Sequence, residues 1–421
     1  KYVQEQLTRE NLNELLSKYL SAGDFLLDLA WNIDANEIIG WAHDHDVIYL
    51  NTSVEEWDPY GDAQKRNPLD RTLYVRHMRL REMKSKWGKA GPTAIVEHGA
   101  NPGLVSHLVK KALVDIANKA IADGIASQDV KTALENESYP ELAKALTVKV
   151  IHISERDTQI SDKPKQLNEF VNTWSVEGFY EEGVAPAELG WGTHEKKLPP
   201  MAYEHKSGPK NQIAIAQPGA KTWVRSWVPN MEITGMVIRH GEAFTITDHL
   251  TVWDGDSAIY RPTVHYAYCP TDAAIASLRE LEHRNWNLTE NQRIMNDEII
   301  SGDDRLGVLL MGHPYKSWWT GSLLSIEESR KLIPHQSATT VQVSSAVYAG
   351  VAWAMKNPNQ GLLVPDDLPW RDVLSYADKF WGGIHSTPAD WTPIDNRKDL
   401  YEGWNGKEYD SDPWQFTNFL I

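Results

Sequence analysis

Three segments of this 421-residue chain place a carboxylate, an indole or an imidazole at the end of an apolar, strand-like run. Glu155 follows residues 150–154 (VIHIS), Trp174 follows 170–173 (FVNT), and His240 follows 235–239 (GMVIR). Carboxylates accept hydrogen bonds from ammonium groups, an imidazole transfers protons, and the face of an indole contacts positive charge. Together these side-chain types suit chemistry on an organic diamine.

Each of these residues also has a simpler structural interpretation. Glu155 could pair with its neighbour Arg156, and Trp174 could pack in the core. His240 has Glu242 two residues further on. Three more acidic residues follow the indole, and their spacing does not rank them: Glu177, Glu181 and Glu182. A single residue of this kind is more often structural than catalytic, but a shared position at strand ends favours a functional site.

Familiar motifs are absent or incomplete. The sequence has no G-x-G-x-x-G fingerprint, no P-loop and no G-x-S-x-G. Residues 43–46 (HDHD) could bind a metal, but without an H-E-x-x-H or cysteine partner a solvated polar turn is favoured. Residues 254–256 (DGD) resemble the start of a calcium loop, yet its twelfth position is His265, which favours a hairpin turn. We therefore predict no metal site.

The composition argues against several classes of protein. With 42 Lys and Arg against 58 Asp and Glu, the net charge is −16, which disfavours nucleic acid and anionic membranes as partners. The single cysteine, Cys269, cannot form an intrachain disulfide, so we expect a reducing, cytoplasmic location. No apolar run approaches the roughly 18 residues of a membrane span, and no signal peptide is evident.

Residues 1–147 alternate strand-like and helical patterns, which predicts an α/β, Rossmann-like, doubly wound parallel sheet. Asn32, Thr52 and Asn101 each follow a predicted strand. Because ligands bind beyond the carboxyl ends of such strands, these residues share the edge where a ligand would lie. The chain enters at Lys1 in a strand-like run, as if a glycine loop preceded it, so we expect the first βαβ stretch to be absent.

The middle of the chain, residues 148–335, has mostly strand-like signals, including 235–240 and 243–247. This pattern predicts a second, α+β domain with a mixed or antiparallel sheet. A helix over 340–355 is apolar almost all round and is predicted to be buried. We assign 336–421 to this helix, which returns to the first domain, and to an irregular, Trp-rich wrap.

Eight runs of residues, which extend over the whole chain, resemble the bacterial homospermidine synthases. They are 99–106 (GANPGLVS), 152–159 (HISERDTQ), 171–179 (VNTWSVEGF), 186–193 (PAELGWGT), 260–268 (YRPTVHYAY), 323–328 (LLSIEE), 342–347 (QVSSAV) and 411–416 (SDPWQF). The resemblance implies a saccharopine-dehydrogenase-like fold, a homodimer, and NAD held as a prosthetic group.

The same resemblance implies a reaction in which two putrescines, or other polyamines, give homospermidine and ammonia. Hydride leaves the first putrescine for NAD, the second amine displaces ammonia from the imine, and the same hydride returns. Because no net oxidation occurs, the cofactor must be held tightly.

The resemblance also assigns roles to single residues. Asn101, Glu155 and His240 form an inner amine site beside the nicotinamide, and Trp174 contacts the cationic imine. It further puts Glu182 in mid-channel and Glu55 at the outer amine. We assign Asn32, Thr52, Asn101 and Pro102, near the edge of the parallel sheet, to the cofactor. At residues 54–57 (VEEW) this chain lacks the proline that follows the glutamate in the family.

Two other functions stay open. A related NAD(P)-dependent dehydrogenase that forms a secondary amine would need a basic residue to hold a carboxylate, whereas the candidates here are Glu, Asn, Trp and His. A non-catalytic polyamine-binding protein on a degenerate dehydrogenase fold is supported only by the missing glycine loop.

Overall fold

The computed structural model describes residues 2–58, 65–395, 397, 401, 404 and 408–421. Its α-helices are α1 Leu12–Tyr19, α2 Ala35–Asp44, α3 Leu73–Ser85, α4 Leu104–Ala122, α5 Gln128–Glu135, α6 Tyr139–Ala145, α7 Val176–Val184, α8 Glu242–His249, α9 Asp272–His283, α10 Ile326–Leu332, α11 Ala338–Lys356, α12 Trp370–Ala377 and α13 Phe416–Phe419. Across these described ranges, no helix has both the length and the apolar character needed to cross a membrane.

Within the described residues, the strands fall into two main sheets and three small pairs. They are β1 Phe25–Asp28, β2 Ile48–Asn51, β3 Ala94–Ile95, β4 Val150–Asp157, β5 Ile160–Ser161, β6 Glu169–Asn172, β7 Pro186–Gly190, β8 Ala202–Glu204, β9 Gln212–Pro218, β10 Trp223–Val228, β11 Met231–Met236, β12 Val252–Asp254, β13 Ser257–Tyr260, β14 Thr263–Cys269, β15 Asn291–Ile294, β16 Ile299–Ser301, β17 Asp303–His313, β18 Lys316–Ser325, β19 Leu362–Leu363 and β20 His385–Ala389. The short β12–β13 pair is the hairpin predicted around residues 254–256.

The first sheet is parallel, in the order β1–β2–β3–β19, as the alternating pattern predicted. Asp34 caps α2 by accepting a hydrogen bond from the Glu37 backbone N–H at 3.1 Å. Because β1, β2 and β3 run parallel, their carboxyl ends meet at one edge of the sheet, which is where open parallel sheets bind ligands.

The second sheet is mixed. Its strands follow the order β20–β18–β17–β4–β14–β7–β9–β8, and β4 pairs in parallel with β14 but antiparallel with β17. Strand β4 lies in the interior of this sheet and carries Glu155, which is 3% exposed. The predicted fold class, a Rossmann-like sheet followed by an α+β unit with a mixed sheet, is confirmed.

The two sheets share one hydrophobic core. Leu50 and Ile95 of the first sheet belong to the same buried cluster as Ile151 and Ile153 of the second. Helices α4 and α11 contribute to this cluster, and α11 is largely buried, as its apolar sequence predicted. The domain boundaries at residues 147 and 335 stay predictions.

Three local predictions were wrong. Residues 243–247 form part of helix α8 rather than a strand, because the helix packs directly on β7. A Cβ on Gly190 of β7 would collide with the Thr247 hydroxyl oxygen and the Ala243 carbonyl oxygen. The predicted position at strand ends also fails: residues 237–240 follow β11 in irregular structure, so His240 does not end a strand, and β4 continues past Glu155 to Asp157. Residues 43 and 44 end helix α2 and only 45 and 46 form a turn, and His43 is not solvated, because its ring is buried and stacks on Trp87.

The C-terminal segment is more regular than the predicted wrap. Strand β19 completes the parallel sheet and β20 extends the mixed one. Trp381, Trp391 and Trp414 are buried, because their indole rings fill the outer layers of the core. Residues 396, 398–400, 402, 403 and 405–407 of the predicted wrap lie outside the described residues.

Candidate active site

A cavity of about 320 Å³ lies at the carboxyl ends of β1, β2 and β3, where they face β4 and α7. Eight of the predicted site residues line it: Thr52, Glu55, Asn101, Pro102, Glu155, Trp174, Glu182 and His240. The ninth, Asn32, does not line the cavity, although its neighbour Trp31 does. The structure thus brings together residues from segments more than 180 positions apart in sequence.

Glu155 forms the floor of a hydrogen-bonded carboxylate site. Its Oε2 accepts a hydrogen bond from Asn101 Nδ2 at 3.1 Å and another from the Tyr266 hydroxyl. Burial raises the pKa of Glu155 to about 7, although both hydrogen bonds favour the ionised form. A carboxyl with this pKa changes its charge near neutral pH, and an ammonium ligand would favour the charged form.

His240 is held from both sides by carboxylates. Its Nε2 lies 3.0 Å from Glu182 Oε2, and its Nδ1 lies 3.0 Å from Glu242 Oε1. Burial by itself would lower the pKa of His240, but the charges of Glu242 and Glu182 outweigh it and raise that pKa well above its usual value. The ring also contacts Tyr266, with 4.4 Å between ring centroids. The imidazole is therefore protonated and positioned to donate a proton from Nε2.

The indole of Trp174 is half-buried at the cavity wall. Its Nε1 donates a hydrogen bond to the Tyr268 hydroxyl at 2.9 Å, which fixes the orientation of the ring. Gly178 permits this placement, because a Cβ there would lie 3.2 Å from Trp174 Cζ3. The indole thus lines a cavity that carries several carboxylates, a setting suited to a cationic ligand.

Glu55 follows β2 and has one of its two carboxylate oxygens unpartnered. Ser53 donates a hydrogen bond to Oε1 at 2.7 Å, whereas Oε2 is buried with no hydrogen-bond partner among the described residues. Burial, and next the charge of Glu181, raise the pKa of Glu55 to about 7. This oxygen is available to a ligand that can donate a hydrogen bond.

The edge of the first sheet has the features of a cofactor site. Residues 99–103 make a tight turn into α4: Gly103 has a φ of +131°, and a Cβ there would overlap the Gly99 carbonyl oxygen. This turn presents Asn101 and Pro102 to the cavity, beside Thr52. Asn32 has a buried Oδ1 that lacks a hydrogen-bond partner within the described part of the chain. These donors and acceptors fit a polar, hydroxyl-rich group such as a dinucleotide.

Sequence reasoning missed two arginines. Arg76 of α3 and Arg239, which precedes His240, both line the cavity, and both bond Glu181. Tyr266, the donor to Glu155, was also missed, although it lies within the run 260–268. No sequence signal separates these arginines from surface ones, because they are brought to Glu181 from segments that are distant in sequence. Among the described residues no group of His, Cys, Asp and Glu has the arrangement of a metal site.

Comparison with known proteins assigns the chain to a family. The family model for the saccharopine dehydrogenase NADP binding domain matches residues 1–95, and that for the saccharopine dehydrogenase C-terminal domain matches residues 99–381. The chain is 42% identical to the homospermidine synthase of Blastochloris viridis and 40% identical to that of Mesorhizobium japonicum. Both alignments span 429 positions and cover the whole chain, and they cover 87% and 86% of those relatives.

A solved structure gives the same assignment. The crystal structure of the homospermidine synthase from Legionella pneumophila in complex with NAD matches with a TM-score of 0.87 and 37% identity, over 99% of this chain and 86% of that one. With such similarity over its full length, and with a parallel sheet joined to a mixed one, the chain belongs to the homospermidine synthase family, within the saccharopine dehydrogenase-like proteins.

Proposed function

We propose that this protein condenses two putrescines to homospermidine, with release of ammonia, by means of bound NAD. The observation that carries the proposal is the set of carboxylates, Glu155, Glu182 and Glu55, that lines one cavity with Trp174 and His240. A ligand with an ammonium group at each end suits this arrangement, because charge-assisted hydrogen bonds to carboxylates are strong. The name of the two curated relatives supports the same reaction.

NAD fits the edge of the first sheet, where Thr52, Asn101, Pro102 and the unpartnered Oδ1 of Asn32 would hold it. When bound, NAD supplies a hydride acceptor that later returns the same hydride to the substrate. The presence of NAD in the Legionella structure supports this choice of cofactor.

In this proposal Glu155 and Asn101 bind the first amine. The ionised form of Glu155 accepts a hydrogen bond from the ammonium, and Tyr266 and Asn101 hold the carboxylate in place. The second amine enters along Glu55 and Glu182. Each carboxylate thereby compensates one positive charge of a ligand that the cavity removes from water.

His240 transfers protons and Trp174 stabilises positive charge. The imidazolium can give its Nε2 proton to the departing ammonia and recover one from the incoming ammonium. The indole face would contact the cationic imine, in a cation–π contact worth about 2 kcal/mol in a desolvated site. This gain applies mainly to the step in which the charge is fixed next to the ring.

The rival dehydrogenase would use a basic residue to hold a substrate carboxylate. Arg76 and Arg239 are basic and line the cavity, but both already pair with the carboxylate of Glu181. Their pairing favours a diamine over an amino acid as the substrate. The non-catalytic alternative, a polyamine-binding protein, does not account for a protonated histidine held between two carboxylates.

We further propose that the protein is a cytoplasmic homodimer. The buried, unpaired Cys269 supports a reducing compartment, and the family resemblance supports the dimer. Light scattering of the purified protein tests the dimer, and a monomeric mass at micromolar concentration would contradict it.

The proposed reaction is tested with purified protein and putrescine as the sole amine. We expect homospermidine and ammonia in equal amounts, and NAD released only when the protein is denatured. With putrescine deuterated at the amine-bearing carbons, the deuterium removed should reappear in homospermidine. Accumulation of free NADH would indicate the ordinary dehydrogenase, and putrescine binding without any turnover would indicate the binding protein.

A further inference from the structure

A buried ion cluster forms one wall of the cavity. Glu181 of α7 lies 3.2 Å from Arg76 Nη2 through its Oε1, and the same oxygen bonds Arg239 Nη2. Trp31 Nε1 donates a hydrogen bond to the other oxygen, Oε2, at 3.2 Å. The side chains of Glu181, Arg76 and Arg239 are only 4%, 4% and 6% exposed, yet all three residues line the cavity.

Glu181 is the carboxylate that the two guanidinium groups share. Arg76 also bonds the Val54 carbonyl oxygen and approaches Glu56 Oε2 at 3.5 Å. Arg239 donates a further hydrogen bond to the Arg71 carbonyl oxygen at 3.1 Å. Burial by itself would raise the pKa of Glu181, but the charges of Arg239 and Arg76 outweigh it and lower that pKa, so the carboxylate is ionised.

Glu55 and Glu182, two other acidic residues of the cavity, are bonded to fewer charged groups than Glu181. Glu55 Oε2 has no hydrogen-bond partner within the described ranges, and Glu182 pairs only with the imidazole of His240 among the bonds observed. These carboxylates can exchange their partners for an ammonium group. Glu181 cannot do so without depriving two buried guanidinium groups of the carboxylate that they share, which is costly.

We propose that Glu181 determines which charge the substrate may carry, by occupying the arginine pair that would otherwise bind a carboxylate. This inference rests on the proposed function, because it explains why the cavity takes amines at both ends. Arginine forks bind carboxylates well, so an open Arg76–Arg239 pair would accept an amine with a carboxylate at its far end. Glu181 is thus a specificity-determining residue that need not touch the substrate.

The first test replaces the carboxylate and keeps its shape. In Glu181→Gln, 4-aminobutanoate, which has a carboxylate where putrescine has its second ammonium, should bind at least tenfold more tightly than to the wild type. Putrescine should bind at least tenfold more weakly. Glu177→Gln is the matched control: it makes the same change on α7, outside the cavity lining, and should alter neither affinity.

The second test removes a positive charge from the cluster instead of a negative one. Arg239→Gln leaves Glu181 with one guanidinium partner, so its carboxylate becomes able to accept an ammonium. This variant should bind the triamine spermidine at least tenfold more tightly than the wild type does, and 4-aminobutanoate no better. If Glu181→Gln is too unstable to titrate, 4-aminobutanoate should raise its melting temperature and leave that of the wild type unchanged.

Affinities are measured by calorimetry on the NAD-loaded protein, separately from product formation. The affinities for 4-aminobutanoate, putrescine and spermidine could change as described while neither the wild type nor any variant forms homospermidine. In that case the proposed reaction fails and the role of Glu181 stands. If homospermidine forms but Glu181→Gln gains no affinity for 4-aminobutanoate, or no rise in melting temperature from it, the role of Glu181 is refuted. An Arg239→Gln variant with unchanged spermidine affinity refutes it as well.

Discussion

The substitution Tyr266→Phe tests whether the hydroxyl of this tyrosine keeps Glu155 ionised. The hydroxyl donates to Glu155 Oε2, and the carboxylate would retain only the Asn101 bond at 3.1 Å. A hydrogen bond to a charged group contributes about 1.5–3 kcal/mol, and about 1.4 kcal/mol corresponds to one pKa unit. The pKa of Glu155 should therefore rise from about 7 to about 8–9.

The expected result is a displaced pH profile rather than a uniform loss. Protonated Glu155 cannot pair with an ammonium, and half of it is already protonated in the wild type at pH 7, so kcat/KM for putrescine should fall about 5- to 50-fold at pH 7 and recover as the pH rises. Initial rates of homospermidine formation from pH 6 to 10 measure this displacement. The acid limb should move by about one to two pH units.

A neighbouring tyrosine provides the control. Tyr268 stacks on Tyr266 with 5.1 Å between ring centroids, but its hydroxyl accepts the hydrogen bond from Trp174. Tyr268→Phe should therefore leave the acid limb in place. An acid limb that does not move in Tyr266→Phe, or that moves equally in both variants, would refute the reasoning.

Substitutions at three further positions have outcomes that separate structural from functional roles. Trp174→Phe should retain partial turnover. Trp174→Ala should lower turnover at least thirtyfold, because it loses a contact worth about 2 kcal/mol, and its melting temperature should change little. A destabilised Ala variant with normal turnover would contradict this. Glu55→Gln should raise the KM for putrescine about 10- to 100-fold through loss of a charge-assisted bond, and an unchanged KM would place the outer amine elsewhere. Burial raises the pKa of Glu188 to about 7, so its contribution to stability is present below its unfolded pKa of 4.5 and is lost as the pH rises through 7. Between pH 5 and pH 8 the free energy of unfolding of Glu188→Gln should therefore fall less than that of the wild type, by up to about 3 kcal/mol. Urea unfolding at several pH values measures it, and free energies that depend on pH equally in both proteins would exclude this role.

Several features of the fold follow from local sequence. Asp34 and Thr271 cap helices where an acceptor side chain precedes a helical pattern. The apolar sequence of residues 340–355 predicted a buried helix, because such a helix has no face to present to water. Thr52 and Asn101 could be placed at the cavity, since the carboxyl ends of parallel strands meet at one sheet edge.

Helix α8 shows where local pattern fails. Residues 243–247 (AFTIT) alternate as a strand would and include two threonines and an isoleucine. The segment is helical because its buried side chains pack against β7 and β14, and tertiary packing outweighs a propensity of at most about 1 kcal/mol per residue. A separate misassignment, of the strand over residues 235–240, put His240 at a strand end, although its position at the cavity was anticipated.

The sequence by itself predicted the residue types of the candidate site and, through family motifs, most of their positions. Only the tertiary structure decided which charges compensate one another. It pairs Arg76 and Arg239 with Glu181 and pairs His240 with Glu182, although the two glutamates are adjacent on α7. The reason is physical, because a carboxylate's pKa and partners depend on burial and on charges from distant segments. Sequence spacing along one helix contains neither quantity.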